Sequence, residues 1–355
     1  MDAAELQRTD VYQWTRQRLA LAVLIVAAGL ILPSYVVWLQ IRPMEGSPRR
    51  AAAGRPPRGR AEAMLGKFNL DGLLIPQQRI LSGGPSKDGI PSLTEPDTVP
   101  VAEADFLAPD SRVVGVTVGG ESRAYPINVL NWHEAINDRL GQTDLAVIYC
   151  PLCDSVSVVD RQLNGKTYEF GISGLLYNSN VLLYDRTDQA LWSQVALTAV
   201  SGPNAGRALR HLDGWELTTF SRWRREHPDS TVVTFNTGHN RRYEVNPYQP
   251  YFQDDYLMPR FQNFDLDNRL ANKSRVIGVK FGGQARAYPL KTLLQGKQMT
   301  LRDEVGGGAI ELAVDRETQS VRVVSFPENA QVVHTFWFAW AAFHPDTDVY
   351  KPPTP

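Results

Sequence analysis

Residues 19–39 are 21 positions without a charge or a polar face. As a helix rising about 1.5 Å per residue they reach roughly 31 Å, the thickness of a bilayer core. The pattern predicts a transmembrane helix at 19–39, with Tyr35 and Trp38 suited to the interface. A short tail, 1–18, precedes it. Residues 40–61 are rich in Arg, Pro, Gly and Ala and have little to bury, so they read as a disordered basic linker.

Beyond residue 61 the pattern changes to short apolar runs separated by turn residues. Residues 111–126 read SRVVGVTVGGESRAYP and residues 274–289 read SRVIGVKFGGQARAYP, identical at 11 of 16 positions with an offset of 163. Each spells a strand, a Gly-Gly turn, a second strand and a helix started at Pro. Trp223, His227, Pro228 and Asp229 recur as Trp340, His344, Pro345 and Asp346, offset by 117. The second copy is therefore 46 residues shorter. Between its anchors the first copy predicts a helix at 127–137, a strand at 144–149, a hairpin of 156–160 with 167–170 around Asn164-Gly165, and a strand at 180–184. The expected fold class is α+β: a transmembrane helix, then a tandem duplication of a β-rich α+β unit. The divisions are a lead-in over 62–109, a first repeat over 110–235, a connector over 236–272 and a second repeat over 273–350.

Composition narrows the function classes. The 355 residues carry 37 Lys and Arg against 38 Asp and Glu, a net charge of −1, which is not the basic surplus of a nucleic-acid binder. The arginines do not settle orientation. Three precede residues 19–39 and six follow closely, which alone favours a cytoplasmic globular part. Two cysteines are too few for a disulfide scaffold or an intramolecular four-sulfur site.

Both cysteines stand together as Cys150-Pro151-Leu152-Cys153, and the second copy has none. That asymmetry points to a working half and a structural half. The spacing fits three chemistries. It fits a redox dithiol, in which one thiolate attacks a disulfide and its neighbour resolves it. It fits a knuckle for zinc, copper or iron, completed first by His133, then by Asp154 or a second chain. It also fits two structural cysteines. Candidate catalytic residues are Cys150, Cys153 and His133; candidate metal ligands are the same three with Asp154. Tyr177, Asn178, Asn180, Trp192 and Gln194 are candidate ligand-binding residues, placed in polar turns beside apolar strands. His227 and His344 recur symmetrically and read as turn or capping residues.

Several segments together resemble the DUF3179 family: KDGIP at 87–91, NWHE at 131–134, YCPLC at 149–153, GLLYNSN at 174–180, LYDR at 183–186, LWSQ at 191–194 and WAAFHPDT at 340–347. The resemblance covers about residues 83–350. It implies export or membrane anchoring, hence a single-pass protein with its soluble part outside the cytoplasm. It also implies selenoprotein relatives, which favours redox chemistry at Cys150 or Cys153. Family members often have Gly after the second cysteine; Asp154 stands there instead and adds a carboxylate. Two functions follow as expectations. One is a membrane-anchored protein with thiol-redox or metal-dependent chemistry, acting on a small molecule or a protein thiol. The other is a non-enzymatic ligand- or partner-binding module.

Overall fold

The computed structural model describes residues 58–258, 262–296 and 298–352. Its framework is a backbone pairing that occurs twice. In the first copy β1 (Arg112–Val118) and β2 (Glu121–Pro126) form an antiparallel pair through the Gly119-Gly120 turn. Helix α1 (Ile127–His133) follows, then a meander of β3 (Ala135–Leu140), β4 (Thr143–Cys150) and β5 (Ser155–Asp160). After β6 (Phe170–Tyr177), β7 (Asn180–Asp185) and β8 (Leu191–Ser193), strand β9 (Trp215–Thr219) returns beside β1, with Thr219 opposite Arg112. Helix α2 (Phe220–Glu226) then leads to β10 (Thr231–Val233), parallel to β2 with Thr231 opposite Arg123.

The second copy repeats this with β11 (Arg275–Phe281), β12 (Gln284–Pro289), α3 (Leu290–Gln295), the meander β13 (Thr300–Val305), β14 (Gly308–Asp315) and β15 (Ser320–Ser325), then β16 (Gln331–Phe336), α4 (Trp337–Phe343) and β17 (Asp348–Val349). Phe336 lies opposite Arg275 and Asp348 opposite Arg286. Those partners are offset from their first-copy counterparts by 117 and 163, the two sequence offsets.

Side chains explain why both copies close the same way. A Cβ on Gly115 would lie 2.0 Å from the Trp223 ring, and one on Gly278 would lie 2.2 Å from Trp340. Each helix thus lays its tryptophan flat across a glycine of the neighbouring strand. Each indole N–H donates onward, Trp223 to Ser230 Oγ at 3.0 Å and Trp340 to Thr347 Oγ1 at 2.9 Å. Tyr125 and Arg123 both donate to Asp138 Oδ2, at 2.8 and 2.7 Å; Tyr288 and Arg286 do the same to Asp303, at 2.9 and 2.8 Å.

The copies share an eight-stranded sheet in which β3, β4 and β5 run on through β16 to β11, β12 and β17. Val156 of β5 bridges His334 of β16. The first copy alone carries the stretch 161–214, whose β6, β7 and β8 belong to a separate five-stranded sheet. That stretch covers the second face of β4. Leu145, Val147 and Tyr149 point into one core with Val129 and Leu130 of α1; Ala146, Ile148 and Cys150 point into another with Phe170, Leu183 and Trp192. A strand buried on both faces reads as the nearly continuous apolar run LAVIYC.

Two expectations are corrected. Among the described residues the class is mainly β rather than α+β, with 40% strand and 15% helix. The helix expected over 127–137 stops at His133 because Glu134 turns left-handed (φ 58°), and residues 135–140 then pair with β4. The single-span membrane protein also loses its support: among the described residues no helix is long and apolar enough to cross a membrane. The 19–39 segment and most of the 40–61 linker lie outside the described residues. The Asn164-Gly165 turn does form, but its arms are only Gln162–Leu163 and Lys166–Thr167.

Candidate functional site

Strand β4 ends at Cys150, and the chain reverses within four residues to enter β5 at Ser155, opposite Cys150 in the ladder. The Cys153 N–H donates to the Cys150 carbonyl at 3.1 Å, and Asp154 takes a left-handed conformation (φ 46°) that completes the turn. Both thiols are free and buried, Cys150 2% and Cys153 0% exposed.

The two sulfurs sit in different surroundings. Burial opposes ionisation of Cys150. Hydrogen bonds from the Cys153 thiol and from the backbone of Val181, Cys153 and Leu152 outweigh it and bring the thiol below the ordinary range. Cys153 goes the other way: burial, the bond to Cys150 and the adjacent charge of a Cys150 thiolate hold its proton on. Its thiol also donates to the Ser179 carbonyl at 3.3 Å. The geometry thus separates a thiol ready to lose its proton from one built to keep it.

Of the residues singled out from the sequence, Asn180 and Gln194 join the cysteines. Asn180 hydrogen-bonds Cys153 and donates from Nδ2 to Gln194 Oε1 at 2.7 Å. Ser155 donates to the same Gln194 oxygen at 2.7 Å, and Gln194 Nε2 donates to Ser157 Oγ at 3.0 Å. This buried polar network lies against the dithiol turn and fixes β7 and β5 around it.

His133 is held elsewhere. Its Nδ1 meets the Pro91 carbonyl at 2.7 Å and its Nε2 the Tyr243 hydroxyl at 2.7 Å, so both ring nitrogens are engaged. Burial pushes its pKa down to about 4, which keeps the ring neutral; Nδ1 then donates to Pro91 and Nε2 accepts from Tyr243. Asp154 is also fully engaged. Arg112 and Tyr149 donate to Oδ1 at 2.8 and 2.9 Å, and Arg275 donates to Oδ2 at 2.7 Å. Arg112 and Arg275 are the same residue of the two copies, 163 positions apart, so Asp154 lies between the halves. Burial works against its charge, yet the arginines hold its pKa down to about 2. Among the described residues, His133 and Asp154 have their ligand atoms engaged by other partners, so neither is free to complete a metal knuckle on the two sulfurs.

The other candidates pin the scaffold. Asn178 accepts from Arg79 at 2.9 Å and donates to the Ala342 carbonyl at 2.9 Å, tying the 177–180 turn to α4. Tyr177 packs edge-on against Phe343 with ring centroids 5.7 Å apart. Trp192 donates to Asp185 Oδ2 at 2.8 Å and fills the apolar core behind the cysteines.

Three neighbours of the dithiol escape the sequence reading. Glu134 is 7% exposed, and Cys150 lies near enough to act on its charge. It stands in the polar NWHE segment beside His133, but is not among the candidate site residues that the sequence offers. Tyr248 faces both Glu134 and Cys150, and Tyr251 lies over the turn, donating from its hydroxyl to the Leu152 carbonyl at 3.1 Å. Both tyrosines come from a stretch without periodicity, so nothing in the pattern places them there.

Fold and site together define a mainly β protein of two fused copies, one of which carries a buried cysteine pair. The chain belongs to the family described as protein of unknown function (DUF3179), whose model matches residues 87–333. That match takes in the dithiol turn and all the neighbours named above. No curated protein matches the chain. No solved structure does either.

Proposed function

We propose that the protein is a thiol–disulfide oxidoreductase, with Cys150 as the attacking thiol and Cys153 as the resolving one. The observation that carries this reading is the unequal hydrogen bonding of the two sulfurs. Cys150 collects donors from Cys153, Leu152 and Val181, while Cys153 keeps its proton and spends it on Cys150 and the Ser179 carbonyl. A structural pair of cysteines has no need of that polarisation.

The reaction is an exchange with a disulfide R–S–S–R′. The Cys150 thiolate attacks one sulfur, forms Cys150–S–S–R and releases R′–S⁻. Cys153 then loses its proton, attacks the Cys150 sulfur, closes the Cys150–Cys153 disulfide and releases R–S⁻. The substrate gains two electrons, the dithiol loses them, and each released thiolate takes a proton. Because both sulfurs are buried, a substrate reaches them only after local opening of the structure around the dithiol turn.

Single substitutions in the full-length protein test this. With glutathione disulfide, C153S accumulates a stable mixed disulfide on Cys150, because no second thiol remains to displace glutathione. C150S forms no such adduct at a comparable rate. Equal adduct formation in both variants, or none in C153S, contradicts the reading.

A further inference from the structure

We infer that Glu216, Glu226 and His227 form a zinc-binding site in the first copy, separate from the cysteine pair and independent of the reading given to it.

The site grows out of the packing that both copies share. Glu216 stands opposite Gly115 in the ladder of β9 with β1, and Gly115 is the residue across which Trp223 lies. Directly opposed residues of an antiparallel ladder share one face of the sheet, so Glu216 is on the face that α2 covers. Four residues after Trp223, the His227 ring stacks on the indole, with centroids 3.9 Å and planes 23° apart. Glu226 directly precedes it. Strand and helix end thus bring a carboxylate oxygen of each glutamate and a ring nitrogen of His227 within 4.8 Å of one another.

The second copy shows what the packing alone requires. The equivalent positions, 117 residues on, are Val333, Phe343 and His344. Val333 stands opposite Gly278, and His344 packs on Trp340 with centroids 4.1 Å apart. Tryptophan and histidine therefore serve the fold in both copies. The two carboxylates belong to the first copy alone, where the shared fold does not call for them.

Hydrogen bonding leaves ligand atoms over. The Glu216 side chain is 6% exposed, and its Oε2 is buried without a hydrogen-bond partner. Arg222 Nη2 stays 3.8 Å away, because that guanidinium is aimed elsewhere. Its Nε donates to Glu226 Oε1 at 3.0 Å, and its Nη1 donates to Ser320 Oγ at 2.7 Å and lies 3.0 Å from Asp315. Among the described residues nothing bonds to Glu226 Oε2 or to either ring nitrogen of His227. Around Glu216 the carboxylates of Glu216, Glu226 and Asp315 outnumber the guanidiniums of Arg222 and Arg322. A buried carboxylate short of partners is costly, and a bound cation offsets that cost. Burial also lowers the pKa of His227, which keeps a ring nitrogen unprotonated and able to bind metal.

One imidazole nitrogen with two carboxylate oxygens and no sulfur suits zinc, bonded at about 2.0–2.2 Å. Glu226 is 38% exposed and closes the remaining distance by rotating its side chain. Three protein ligands leave the fourth position of a tetrahedral ion for a water, on the side where Glu226 meets solvent.

The test is zinc binding by the full-length protein, stripped with chelator and titrated with zinc at neutral pH against a fluorescent zinc indicator. Wild type is expected to take up one zinc ion at this site. E216Q, E226Q and H227Q are each expected to weaken its binding at least tenfold. Should E216Q or H227Q fail to fold by circular dichroism, E226Q decides, since that side chain reaches the surface. Cobalt(II) separates this site from the cysteines: the visible bands that E226Q removes should come without the sulfur-to-cobalt charge-transfer absorption of a thiolate ligand. Three results overturn the proposal: no zinc uptake by wild type at micromolar concentration, a folded E226Q that binds zinc as tightly as wild type, or removed bands that carry the sulfur absorption.

Discussion

Asp154 is gripped by an arginine from each copy, and removing its charge leaves both without their partner. Its carboxylate is 1% exposed, so solvent does little to soften the loss. D154N is expected to cost about 3–5 kcal/mol in chemical denaturation at neutral pH, the range for breaking a buried pair from one side. The same group sets a pH dependence. Its folded pKa of about 2 lies below the roughly 3.9 of an unfolded Asp, so its contribution is present above about pH 4 and is lost as pH falls towards 2. The stability gap between wild type and D154N should therefore narrow by about 2 kcal/mol between pH 5 and pH 2. At Cys150 the lowered pKa predicts alkylation at a lower pH than for an ordinary thiol, in a protein whose Cys153 stays unlabelled there. The cysteine spacing was readable from the sequence; Asn180 and Gln194 stood there as ligand-binding candidates, and the structure sets them in a buried network against the cysteines. The surroundings of His133 were not. Its ring is claimed by Pro91 and Tyr243, which lie 42 and 110 residues away, and no local pattern encodes such contacts.

At the scale of elements, the Gly–Trp contact is what lets each copy's helix lie flat on its sheet. An added methyl on Gly115 or Gly278 meets the indole at van der Waals overlap in a core with no slack. G115A and G278A should each lower the melting temperature, by about 1–3 kcal/mol of stability or more, and to a similar extent in both copies. A large loss in one copy with none in the other would mean that the two halves do not share this design. The duplication itself was legible, since repeated side chains at fixed offsets imply repeated backbone pairing. The short helices were not. Residues 127–137 read as one helix, but the left-handed turn at Glu134 and the pull of pairing with β4 make strand of the part after it.

Across the whole molecule, the interior holds several histidines in neutral form. Burial brings His133, His211 and His334 down to about 4 and His344 to about 3. An unfolded histidine takes up a proton near pH 6.5, so the unfolded chain gains protons first and stability falls as pH drops from about 6.5 towards 4. Melting temperatures measured across that range should decline steadily, before the carboxylate loss at Asp154 begins. A flat profile between pH 6.5 and 4.5 would contradict the buried, neutral placement of these rings. That placement depends on how the copies and the 161–214 stretch enclose one another, which is a property of the assembled chain and not of any segment read alone. The same enclosure shapes the dithiol: β4 delivers the cysteines, the first-copy insertion supplies Asn180 and the Val181 amide, and the second copy supplies α4 and β16. The most direct test of the account is a count of free thiols in the full-length protein equilibrated across glutathione redox buffers. Both cysteines should disappear and return together, as one intramolecular Cys150–Cys153 disulfide per chain. Two thiols that stay reduced in the most oxidising buffer, or one glutathione adduct that never resolves, would contradict it.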